Sequence, residues 1–206
     1  MKDRKVLSDE EGTAMQVNDH LGVGYWQDCA EGLFMTSRGG NRYHRTFMEG
    51  FVKPGLDRHN WVSRCNYPGL GVVPTGPGEM SFYVKRHNQH PTAHIERMVL
   101  RTDGFSSLTA PYAGGEMVSR PFAFSGSELE INYATGAGGH LSVELQDEAG
   151  DSIRGYSESD CGLIVGDEIE RLVEWNGSPD LAALAGQRTR LRVILKDANL
   201  YSFRFR

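Results

Sequence analysis

The chain has 206 residues, enough for one large or two small domains with a sizeable core. Its formal net charge is −5, with no basic tail, arginine stripe or zinc-finger spacing, so nucleic acid is not an expected partner. No apolar run reaches membrane-span length, so no membrane partner is expected either. Cys29, Cys65 and Cys161 are odd in number and far apart, which suits free thiols better than a disulfide framework or a metal knuckle.

The first thirty residues are weakly patterned. Met1-Lys-Asp-Arg-Lys-Val-Leu7 lacks the apolar segment of a signal peptide, so the chain as written is expected in the cytoplasm. Val6-Leu7-Ser8 and His20-Leu-Gly-Val-Gly-Tyr-Trp26 read as short strands, with Ser8-Asp-Glu-Glu-Gly12 as a turn between them.

Residues 31–94 are dense in Gly, Pro, Arg and aromatics. Leu33–Thr36, Arg45–Val52 and Glu79–Val84 read as strands, and Tyr67-Pro-Gly-Leu-Gly71 and Pro74-Thr-Gly-Pro-Gly78 as breakers. Short strands between ordered polar loops suit a propeller blade. His94–Arg101 is a further strand, and the domain boundary is placed so that 1–92 is a blade-like segment and 93–206 a second domain.

The second domain carries the clearest pattern. Leu129, Ile131 and Tyr133 alternate with Glu128, Glu130 and Asn132. Leu141, Val143 and Leu145 repeat the period, as do Leu191, Val193 and Leu195. Period-two alternation predicts one buried and one wet face, as in an antiparallel sheet packed on another sheet. Strands are predicted near 116–124, 127–134, 140–147, 152–156, 169–175, 188–197 and 199–205, with a turn at Gln146–Gly150. Asp180–Gly186 is the helix-like piece, ended by Gly186. The fold class is therefore all-β: a C-terminal antiparallel β-sandwich, jelly-roll-like, preceded by a blade-like β segment.

Two blocks carry a family resemblance. One is Thr36-Ser-Arg-Gly-Gly-Asn-Arg-Tyr-His-Arg-Thr-Phe-Met-Glu-Gly-Phe51, with Pro54–Asp57 and Gly71–Ser81. The other is Leu100–Phe105 with Val165–Ile169 and Leu195–Phe203. Together they resemble the C-terminal part of bacterial proteins related to five-bladed-propeller glycoside hydrolases, families 32 and 43, in which a β-sandwich follows the propeller. A complete propeller needs roughly 250–300 residues. Only 1–92 precede the sandwich, which corresponds to the last one or two blades. An incomplete ring exposes a sheet edge, which a homo-oligomer would cover.

The resemblance implies carbohydrate-active ancestry and a poly- or oligosaccharide partner. Hydrolysis needs two carboxylates flanking the scissile bond. Glu49 and Glu79 lie in the resembling blocks, with Asp28 a third candidate, and Arg45, four residues before Glu49 on one strand face, would keep its partner ionised. A structural Arg45–Glu49 ion pair is the plainer alternative. Arg38, Asn41, Arg42, Tyr43, Arg64, Asn66, Tyr67, Tyr83, Arg86 and His87 supply the aromatic faces and planar donors that sugars take, placing glycan contacts in residues 36–87. Trp26, Trp61 and Tyr83 also read as core. If the chain is an enzyme it is a glycoside hydrolase; the alternative is a non-catalytic carbohydrate-binding or interaction module.

No cofactor is expected. His87, His90 and His94 have an unspecific spacing interrupted by Pro91, so no metal site is assigned. Asp103, Asp167, Glu168 and Asp197 could supply a structural Ca²⁺ site, with solvated turn aspartates as the plainer reading.

Overall fold

A computed structural model describes residues 8–15 and 28–206. The predicted strands at 6–8 and 20–26, and Trp26, fall wholly or mainly outside the described residues. The class is all-β: short antiparallel strands dominate, with two short α-helices among the described residues. None of these helices is long and apolar enough to cross a membrane. Two compact units divide after Val99.

The first element corrects a predicted turn. Asp9–Ala14 is a helix, α1. The signal is a capping box: Ser8 Oγ accepts from Glu11 N–H at 3.1 Å, and Glu11 Oε2 accepts from Ser8 N–H at 2.7 Å. Strands β1 (Gly32–Leu33) and β2 (Gly50–Val52) form a two-stranded sheet. Only the last three residues of predicted strand 45–52 are extended into a ladder.

Strands β3 (Tyr67–Pro68), β4 (Val73–Gly76), β5 (Glu79–Arg86) and β6 (His94–Arg101) make a four-stranded antiparallel sheet around β5. The segments read as breakers contribute β3 and β4. Their prolines sit in two- and four-residue strands beside β5, where a missing N–H costs little. Ser81, Phe82, Val84 and Arg86 of β5 are buried, whereas Tyr83 and Lys85 are exposed. Tyr83 is therefore a surface residue, 43% exposed, and Trp61 is half-buried with its indole N–H donating to Gly55 O at 2.8 Å.

In the unit Leu100–Arg206 most of the strands predicted for a sandwich join one five-stranded sheet built on two long neighbours, whereas 152–156 contributes only an isolated bridge from Ser152 to Gln146. Strands β7 (Leu108–Ala110) and β8 (Gly115–Val118) precede β9 (Leu129–Gln146). Helix α2 (Glu158–Cys161), strand β10 (Asp167–Leu172) and β11 (Arg190–Phe205) follow. β10 pairs with β9, β9 with β11, and β7 and β8 with opposite ends of β11. The predicted turn at Gln146–Gly150 is present, closed by Gly150 N–H to Asp147 O at 3.2 Å. The helix-like piece is a single 3₁₀ turn at Ala182–Leu184, with Gly186 at φ 79°.

Pairs of predicted strands merge into single ones. The glycines at 136, 138 and 139 stay within β9, and β11 crosses Asp197 through a bulge with φ 45°. The bulge moves the inward set from Leu191, Val193 and Leu195 to Ala198 and Leu200. Leu129, Ile131, Tyr133, Leu141, Val143 and Leu145 of β9 join these residues, Trp175 and Leu181 in one core.

The opposite face of β9 is not wet as the alternation predicts. Glu130, Asn132, Ser142 and Glu144 are buried. Arg204, directly across from Glu130, reaches its carboxylate at 2.7 Å, and Arg192, across from Glu144, approaches at 3.5 Å. Arg101 donates to Asn132 Oδ1 at 2.7 and 3.0 Å. Long arginine stems thus roof a polar face that a central strand presents.

Candidate functional site

The strongest grouping of chemically capable side chains lies in the first unit, where two turns meet. Gly55, at φ 72°, turns the chain into Asp57, which caps a 3₁₀ turn over Arg58–Asn60. Asp57 Oδ1 accepts from the His59 backbone N–H at 3.0 Å and lies 2.8 Å from His59 Nδ1. The other oxygen, Oδ2, lies 2.8 Å from His87 Nε2.

His87 is delivered by β5, which ends one residue earlier. His87 and Gln89 adopt φ 53° and 63°, a left-handed conformation that non-glycine residues rarely hold. Within this tight turn Thr92 Oγ1 lies 2.7 Å from Nδ1 of both His87 and His90. His94 Nδ1–H donates to Thr92 O at 2.9 Å. Four imidazoles are thereby packed together: the His59 ring is 4.3 Å from His90 and 5.0 Å from His87, and the His94 ring is 4.7 Å from His87.

A buried polar floor holds both turns. Asn60 Oδ1 accepts from His87 N–H at 3.3 Å, and Asn66 donates to Asn60 O at 3.0 Å. Arg86, only 8% exposed, donates to Glu96 at 2.6 Å, to Lys53 O at 3.2 Å and to Asn66 Oδ1. Asn88 N–H donates to the Cys65 thiol sulfur at 2.9 Å. Every member is fixed by another, which is how a network of this kind sets a loop geometry.

The electrostatics follow from these contacts. The backbone N–H of His59, then the rings of His59 and His87, hold the Asp57 carboxyl down at about 2 despite partial desolvation. Burial, with His59 and His87 alongside, lowers His90. Asp57 is exposed while His59 and His87 are half-buried, so the group opens to solvent on its carboxylate side.

The residues predicted for a site divide. His87 enters the cluster. Arg86 is structural and lies beneath it. Tyr83 projects outward with Lys85, and Tyr67, directly across from Lys85, shares that face. Arg38, Asn41, Arg42, Tyr43 and Arg64 are exposed on loops. Arg45 and Glu49 do not pair with each other: Arg45 donates to Met48 O at 3.1 Å, and Glu49 meets Lys53 at 3.5 Å. Glu49 borders β2 in one sheet, and Glu79 opens β5 in another. The four acidic residues considered for calcium are not gathered; among the described residues the grouping with metal-ligand spacing is Asp57, His59 and His87.

Asp57, His59 and Thr92 carry no prediction from sequence. Their signal is Asp57-x-His59 after a Pro-Gly turn, together with His87-x-x-His90-x-x-x-His94. Pro91 interrupts a strand pattern there but fits the tight turn that brings the rings together.

No protein-family model, curated protein or solved structure matches this chain.

Proposed function

We propose that the chain is a saccharide-binding protein of carbohydrate-active ancestry, and that the outward face of β3 and β5 meets the glycan. The observation that supports this reading is the Tyr67–Lys85–Tyr83 face. Tyr67 is 49% and Tyr83 43% exposed, and they stand diagonally across one antiparallel pair, with Lys85 directly across from Tyr67 and two residues from Tyr83 on the same face. Exposed rings on a rigid strand pair offer stacking surface to sugar C–H faces, and the ammonium offers a donor to hydroxyls. The resemblance to propeller glycoside hydrolases points to the same ligand class.

Binding is favoured over hydrolysis by the surroundings of the carboxylates. Glu49 is 87% exposed and faces Lys53, without the dry enclosure a glycosidase acid requires.

A glycan array followed by calorimetry tests the reading, with Tyr67→Ala and Tyr83→Ala beside the wild type. Each substitution is expected to weaken binding about tenfold, the loss of one stacking contact. Binding unchanged in both variants, or no glycan bound, would remove this face from consideration. Release of reducing sugar that disappears in Glu49→Gln or Glu79→Gln would instead establish a glycosidase.

A further inference from the structure

We propose that Asp57, His59 and His87 form a binding site for a divalent transition metal of the Zn²⁺ type. The proposal is independent of the saccharide reading.

The three ligand atoms lie within 4.8 Å of one another. The carboxylate already stands between the two imidazole nitrogens, 2.8 Å from each. Two imidazoles and one carboxylate are a borderline donor set, which suits zinc, cobalt or nickel better than calcium or magnesium. Three protein ligands on a solvent-facing carboxylate side leave a position for water or another donor, as catalytic rather than structural zinc sites do.

The supporting shell has the form that metal-bound histidines need. The nitrogen of His87 facing away from Asp57 is held by Thr92 Oγ1 at 2.7 Å. A hydroxyl donates or accepts, so it partners Nδ1 in either tautomer of His87, including the one that leaves Nε2 free for the metal. His87 is held in its left-handed conformation by the Asn60 contact to its backbone N–H. Strain of this kind at a non-glycine residue clusters at ligand sites. Metal binding draws the three atoms to about 2.0–2.2 Å from a common centre, replacing the two direct carboxylate–imidazole contacts.

The test is calorimetric titration of the full chain with Zn²⁺, and with Co²⁺ followed by visible absorption. One equivalent is expected to bind, with the intense cobalt bands of a low-coordinate nitrogen–oxygen site. His59→Ala and His87→Ala should each weaken Zn²⁺ binding at least tenfold, whereas His140→Ala, in the other unit, should leave it unchanged. Thr92→Val should weaken it about 10- to 100-fold and shift the cobalt bands, because the His87 ring loses its anchor. Imidazole nitrogen NMR of the wild type covers the case in which a variant misfolds: the His59 and His87 signals should move on adding Zn²⁺ while those of His44 and His140 stay. No binding, or binding with the His59 and His87 signals unmoved, overturns the proposal.

Discussion

The Asp197 carbonyl oxygen lies 2.1 Å from the point where a Cβ on Gly139 would stand. Two long strands cross the same place: β9 runs through its glycines where β11 makes its bulge. A Cβ at Gly136 would meet the Asp197 carboxylate at 2.0 Å. The glycines therefore serve close strand approach, and the bulge at Asp197 lets β11 keep its apolar side chains inward on both sides of it.

Gly139→Ala should be among the most damaging substitutions in the C-terminal unit. The obstacle is backbone, which cannot swing away like a side chain. The expected loss is about 2–4 kcal/mol. For a unit of this size that lowers the melting midpoint by roughly 10 °C or more, measurable by calorimetry. Gly150→Ala is the control for glycine replacement in open space: it has no atom nearby and should cost only the strain of its φ of 102°.

Tyr133 should confer an alkaline limit on stability. It is fully buried and donates to Val165 O at 3.0 Å and Glu168 Oε1 at 3.0 Å. Burial first, then the Glu168 carboxylate, pushes its phenol up to about 12. The raised value means the folded state holds the proton more tightly than the unfolded chain, where tyrosine titrates near ~10. The stabilisation is complete below about 10 and is lost as pH rises through about 12. Denaturant titrations across this range should show the decline in wild type and a shallower one in Tyr133→Phe. The variant itself should lose about 1–2 kcal/mol near neutrality, because the Val165 carbonyl and Glu168 lose their donor.

Arg86→Lys should loosen the polar floor under the histidines. A lysine keeps the charge but cannot reach Glu96, Lys53 O and Asn66 from one planar fork. Glu96 is 45% exposed, so water takes up part of the loss, and the expected cost is about 2 kcal/mol, mainly from the buried amide of Asn66. Hydrogen exchange should quicken in peptides spanning 57–94 and stay unchanged across 129–146. Equal exchange in both regions would show that Arg86 does not anchor these turns.

The thiols should be poor nucleophiles. Burial, followed by the neighbouring Cys65, Asp28 and Glu31, pushes Cys29 up to about 11, and burial also raises Cys65 and Cys161. Alkylation of native Cys29 at pH 8, followed by mass spectrometry, should run roughly tenfold or more slower than for a small free thiol. All three cysteines should react readily once the chain is denatured.

The all-β class, the inward sets Leu129–Ile131–Tyr133, Leu141–Val143–Leu145 and Leu191–Val193–Leu195, the turn at Gln146–Gly150 and the stop at Gly186 could all be read along the chain. These follow from a two-residue repeat and from backbone freedom, which neighbouring residues disclose. The continuity of β9 through 136–139 was not legible, because glycine in a tight turn and glycine under a crossing backbone look alike along the chain. The burial of Glu130 and Glu144 was not legible either, since it depends on which arginines register places opposite them. The tertiary structure alone brought Asp57 to His87, thirty residues away, and separated Arg45 from Glu49, only four apart. The first distance is set by the turns at Gly55 and His87, tied together across remote segments by the His87 N–H to Asn60 bond, and the second by the separate local partners that Arg45 and Glu49 take.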